Sequence, residues 1–139
     1  MSIAKAYAVI CVKDIDAARE WYAGIFGRDP DGEPMDGLCE WYFAGGGLQV
    51  FEDAKRAGKS RLTLVTTDIG DSRDKLAKHG LKLGEQASGE SVTVAQIKDP
   101  DGNIVTFAEP GAGTMIHLHA HAGNTAKHGT KHDSNVTIM

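Results

Sequence analysis

The groups in this chain able to do chemistry are six histidines, two cysteines and a set of Tyr, Gln, Arg and Thr side chains on strand-like runs. Five of the histidines come after position 116. In MIHLHAHA an extended chain would put His117, His119 and His121 on one face, a spacing able to hold Zn, Ni or Cu. The surrounding sequence is rich in Gly, Asn, Thr and Lys, so residues 111–139 read as an extension, flexible or added, and not as a metal site. The sixth histidine, His79, closes a helical stretch, where an imidazole interacts with the helix dipole. Cys11 and Cys39 lie in strand-like runs and read as buried free thiols. No Ser-His-Asp set, carboxylate pair or phosphate loop is present, and the GGG at 45–47 separates two strand-like runs as a hairpin turn does.

Strand alternation sorts the remaining candidates. In AYAVICV, Ala8, Ile10 and Val12 share one face, and Tyr7, Val9 and Cys11 the other. In LQVF, Leu48 and Val50 oppose Gln49 and Phe51. In RLTLV, Leu62 and Leu64 oppose Arg61, Thr63 and Val65, and in IVTFA, Val105 and Phe107 oppose Ile104, Thr106 and Ala108. The first sets are apolar enough for a helix-covered core. The second sets are mixed, which suits a wall facing ligand and suits a solvated face equally well.

The elements that carry these residues repeat. AKAYAVICVKDIDAAREWYAGIFG, residues 4–27, is a strand followed by a helix with Ala18, Trp21, Tyr22 and Ile25 on its apolar stripe. KSRLTLVTTDIGDSRDKLAKHG, residues 59–80, repeats it: Asp68 matches Asp14, Ile69 matches Ile15, Arg73 matches Arg19, and Gly80 matches Gly27 as the stop. A hairpin follows each helix, LCEWYF to LQVFED in the first half and SVTVAQI through DPDGN to IVTFAEP in the second. The repeat unit is βαβββ, and the predicted modules are 1–57 and 58–110, making one domain over 1–110.

Composition narrows the function. With 41% hydrophobic and 24% charged residues, the chain is of ordinary globular type. The net charge is −4, and because Lys127, Lys131 and Asp133 are the only charged residues of the extension, the region 1–110 is more acidic still. Nucleic acid is not an expected partner. No apolar run approaches the ~20 residues that span a bilayer, so no membrane role is expected, and the first residues turn charged too early for a secretory signal. A cytoplasmic protein is the expectation.

With its "VxD" before the first helix and DPDGN before the last strand, residues 1–110 resemble the vicinal oxygen chelate superfamily of glyoxalase, bleomycin-resistance and extradiol dioxygenase proteins. The resemblance implies an α+β fold in which two βαβββ modules form a cup-shaped mixed sheet. It implies that metal-dependent members carry ligands at the positions of Tyr7, Gln49, Arg61 and Thr106. Of these only Gln49 suits a metal, since a guanidinium excludes a cation and Thr106 is a poor neutral ligand. No cofactor or metal is therefore expected. The ligand-binding residues expected in the cup are Tyr7, Gln49, Phe51, Arg61, Thr106 and Trp41, with Trp41 and Phe51 as stacking groups for a small, aromatic molecule, as in antibiotic sequestration. The strand pattern leaves the parity of Trp41 open, because Tyr42 and Phe43 adjoin it. The alternative is a metal-free lyase, isomerase or dioxygenase-like enzyme of the same superfamily, with Tyr7 as acid or base and Arg61 holding an anion. Modules of this kind commonly pair across chains, which implies a homodimer.

Overall fold

Each helix begins where a carboxylate can take over the backbone donors that the first turn leaves free. Strand β1 (Ala6–Val12) runs to Asp14, whose side chain accepts from the amides of Asp16 and Ala17, and helix α1 (Ile15–Phe26) follows. Ala18, Tyr22 and Ile25 form its buried stripe, and the chain leaves it through Gly27 in the left-handed region, φ 71°. Strands β2 (Gly32–Met35), β3 (Leu38–Phe43) and β4 (Gly46–Glu52) complete the first module. The second module repeats the order with β5 (Arg61–Val65), α2 (Ile69–Ala77), capped by Asp68, and then β6 (Ala87–Ser88), β7 (Val92–Lys98) and β8 (Ile104–Pro110). The structure, a computed structural model, describes residues 2–111. The histidine-rich stretch with His117, His119 and His121 lies outside the described residues.

Two four-stranded mixed sheets result, ordered β1-β4-β3-β2 and β5-β8-β7-β6, so the second module copies the topology of the first. In each, the first strand runs parallel to the last and the remaining pairs are antiparallel. α1 packs on β3 and β4, and α2 on β7 and β8. One core spans both modules: Ile10, Tyr22, Trp41, Leu48 and Val50 from the first join Leu62, Ile69, Leu76, Val105 and Phe107 from the second. Cys11 and Cys39 are buried free thiols, as expected.

The turn between β3 and β4 is shorter than the sequence reading allowed. Gly45, φ 86°, makes the turn with Ala44, whereas Gly46 and Gly47 already belong to β4. They must be glycine for a steric reason: a Cβ on Gly46 would overlap the Ala6 carbonyl, and one on Gly47 would press on the Trp41 carbonyl and the Tyr7 ring.

DPDGN is more than a turn. Asp99, 5% exposed, accepts four hydrogen bonds: Oδ1 from the amides of Asp101 and Asn103, both 2.9 Å, and Oδ2 from the Tyr22 hydroxyl at 2.7 Å and Asn103 Nδ2 at 2.8 Å. The fully buried Asn103 also donates to the Cys11 carbonyl of β1 and accepts from the amide of Ser60, just before β5, each at 2.8 Å. The motif thereby ties β1 and α1 of one module to the start of β5 in the other. Among the described residues no helix is long and apolar enough to cross a membrane.

Candidate functional site

The helices cover one face of the sheets and leave the other open, and on that open face the hairpin register decides which side chains meet. The two-residue turn at 44–45 pairs Glu40 with Gln49, Trp41 with Leu48 and Tyr42 with Gly47. Val9 pairs with Gln49 across β1. A cross-strand row Glu40–Gln49–Val9 therefore lies on the open face, and the second module supplies its counterpart, Gln96–Thr106–Thr63.

Five of the six residues expected in the cup lie on this face. Tyr7 is part-exposed, and its ring meets Tyr42 edge-on, with centroids 6.3 Å apart and planes at 86°. Phe51 is also part-exposed. Gln49 is half-buried and donates from Nε2 to Glu40 at 2.6 Å. Thr106 is set into the floor, 3% exposed, and its hydroxyl accepts from Gln96 Nε2 at 3.0 Å. Arg61, the first residue of β5, is exposed, and its side chain has no hydrogen-bond or ion-pair partner among the described residues. Val9 and Val65, 48% and 61% exposed, widen the apolar surface between these groups.

Trp41 does not belong with them. It is completely buried on the helix side, its rings packed against Tyr22 and Phe26, and its indole N–H donates to the Arg28 carbonyl at 3.0 Å. Pairing with Leu48, a core residue, fixes its parity. With Tyr42 and Phe43 adjoining it, the strand pattern alone leaves that parity open, and the two-residue turn at 44–45 settles it.

Two groups take a larger part than the sequence suggested. Glu40 stands mid-strand in β3 at 8% exposure, where a strand-end carboxylate would be solvated. It accepts from the Tyr42 hydroxyl at 2.8 Å and from Gln49. That hydrogen bond, reinforced by burial, holds the Tyr42 phenol above its ordinary pKa. Tyr42 is fixed in turn by Asp31, which accepts from its amide at 2.7 Å, and by Arg28, which donates to its carbonyl at 2.9 Å. Glu52 of β4 and Glu109 of β8 serve the helices: they accept from the amides of Ile15 and Ile69, the first residues of α1 and α2. His79 is exposed just beyond α2 and borders a groove of about 720 Å³ beside α1, shared with Trp21, Gly24, Arg28, Leu81 and Pro100.

The positions that the resemblance marks for a metal, Tyr7, Gln49, Arg61 and Thr106, do not together suit a divalent ion here. Arg61 brings a positive charge and the Thr106 hydroxyl is engaged with Gln96, which leaves Gln49, whose Nε2 donates to Glu40, as a single amide ligand. Among the described residues no group of three His, Cys, Asp or Glu side chains is placed to share an ion.

No protein-family model and no curated protein matches the chain. Solved structures do. A glyoxalase/bleomycin resistance protein from Catenulispora acidiphila is 26% identical, with a TM-score of 0.71 over 76% of this chain and 96% of that one. TnmS3, an antibiotic binding protein from a Streptomyces species, is 22% identical, with a TM-score of 0.68 over 80% and 99%. A second Streptomyces protein, described as glyoxalase/bleomycin resistance, is 21% identical with a TM-score of 0.63 over 76% and 99%.

Proposed function

We propose that this chain, which has the glyoxalase/bleomycin resistance fold of the vicinal oxygen chelate superfamily, binds a small aromatic molecule on the open face of its sheets and sequesters it without a metal ion. The observation that carries the reading is the company of part-exposed Tyr7, Tyr42, Phe51, Val9 and Val65 around a polar row. Exposed aromatics and branched aliphatics of this kind offer stacking area, while Gln49 and Glu40 fix orientation. An antibiotic binding protein among the similar structures supports the same reading. Naphthylmethanol, an uncharged aromatic alcohol, is the probe. Isothermal titration is expected to show saturable binding that weakens about tenfold in Phe51→Ala, since a buried aromatic contact is worth roughly 1 kcal/mol or more. Saturable binding unaffected by Phe51→Ala would place the ligand elsewhere. Arg61, at the rim, tunes this site only weakly: an exposed charge contributes about 0–1 kcal/mol, so Arg61→Ala is expected to cost naphthoate less than about fivefold.

Two chains pair in this reading, which places the protein in the cytoplasm as a homodimer. Among the described residues β2 ends the first sheet and β6 the second, each with one edge unpaired, and a second copy can cover such edges. Light scattering at micromolar concentration is expected to give about twice the 14.8 kDa chain mass, and a value at the chain mass itself would reject the dimer.

A further inference from the structure

Glu40 is a buried carboxylate without a counter-ion. Its two hydrogen bonds come from neutral donors, the Tyr42 hydroxyl and the Gln49 amide. No described Lys, Arg or His forms an ion pair with it, and Lys5 Nζ stands over the Tyr42 ring, 6.0 Å from its centre, not on the carboxylate. Asp99 shows what saturation looks like in the same molecule: four donors on two oxygens. A carboxylate has about four acceptor sites, so Glu40 keeps roughly two in hand. Its register places it on the open face beside Gln49, in the row that the bound molecule would cross.

A charge removed from water without an opposite charge is costly, and the cost falls when a cation arrives. Beside Glu40 the Tyr42 and Tyr7 rings stand edge to face, and aromatic faces attract cations as well as apolar rings. Arg61, by contrast, is exposed, where solvent screens its pull on an anion. Among the charged groups of this face, which include Lys5 over the Tyr42 ring and Lys98 of β7, Glu40 is the buried one.

We propose that Glu40 is the specificity-determining residue of this face and that the ligand is an aromatic molecule carrying a protonated amine or amidinium group, which completes the Glu40–Tyr42–Gln49 cluster. The proposal rests on the aromatic-binding reading above and deepens it.

Three probes on one ring test it with the full-length protein at low salt: naphthylmethylammonium, naphthylmethanol and naphthoate. The wild type is expected to bind the cation about tenfold more tightly than the alcohol, as a charge-assisted hydrogen bond should give, and the anion more weakly than either. Glu40→Gln keeps the shape and changes the net charge by one unit. It is expected to bring the cation within about twofold of the alcohol when both are measured on the same variant. Equal binding of cation and alcohol by the wild type, which needs no variant to fold, overturns the role of Glu40 and leaves the aromatic site standing. A cation preference that survives Glu40→Gln also overturns it and assigns the preference to the acidic chain as a whole. Binding of none of the three removes the aromatic-binding reading and this proposal together.

Discussion

Asp99→Ala is expected to lower the unfolding free energy by about 3–5 kcal/mol, the range for breaking a buried, charged hydrogen-bond network. The substitution leaves four donors without their acceptor: the Tyr22 hydroxyl, Asn103 Nδ2 and the amides of Asp101 and Asn103. Tyr22 and Asn103 are fully buried, so water reaches them only by opening the core. The Tyr22 hydroxyl is held strongly in its protonated form, first by burial and then by the Asp99 charge, and therefore stays a donor with nothing to donate to. Asn103 also ties Cys11 to Ser60, so the damage reaches the contact between modules. Urea unfolding followed by circular dichroism is the check, with a lowered midpoint at unchanged slope expected. Tyr22→Phe removes one of the four donors and is expected to cost about 1 kcal/mol. A loss below about 1 kcal/mol for Asp99→Ala would show that the motif is a turn and nothing more.

Gly46→Ala is the second large effect, about 3 kcal/mol of destabilisation by overpacking. The added methyl would overlap the carbonyl oxygen of Ala6 and crowd its carbonyl carbon and amide nitrogen. These are backbone atoms of β1, the strand paired with β4, so no rotamer change relieves the clash and the strands must separate. Gly89 is the control. It is exposed, a Cβ there would meet only the Val92 carbonyl at an ordinary 3.8 Å, and Gly89→Ala is expected to stay within about 0.5 kcal/mol of wild type. Thermal melts of the two variants side by side decide the matter. Equal melting temperatures would mean that β1 and β4 yield at no cost.

Much of this architecture is legible in the sequence because it is local. Asp14 and Asp68 cap helices within a few residues, Gly27 and Gly80 close them, and the period-two pattern of β1, β4, β5 and β8 separates helix side from open side. The placing of Trp41 and Glu40 required one more fact, the length of the 44–45 turn, since a shift of one residue exchanges the faces of a strand. Had Gly46 and Gly47 been read as strand, Trp41 would have fallen opposite Leu48 and Glu40 opposite Gln49. The Asp99 network lies beyond any local reading, because its Tyr22 partner is 77 residues away. Nothing about DPDGN as a string distinguishes a solvated turn from a lock between modules.

The central claim is that the helix-free face, and not the groove beside α1, takes the aromatic ligand. Titrating uniformly nitrogen-15-labelled protein with naphthylmethanol and mapping the amide shift changes tests it most directly. The predicted result is a saturable set of shifts centred on Tyr7, Val9, Gln49, Phe51 and Thr106. Shifts gathered instead on Trp21, Gly24, His79 and Leu81 around the groove would contradict it.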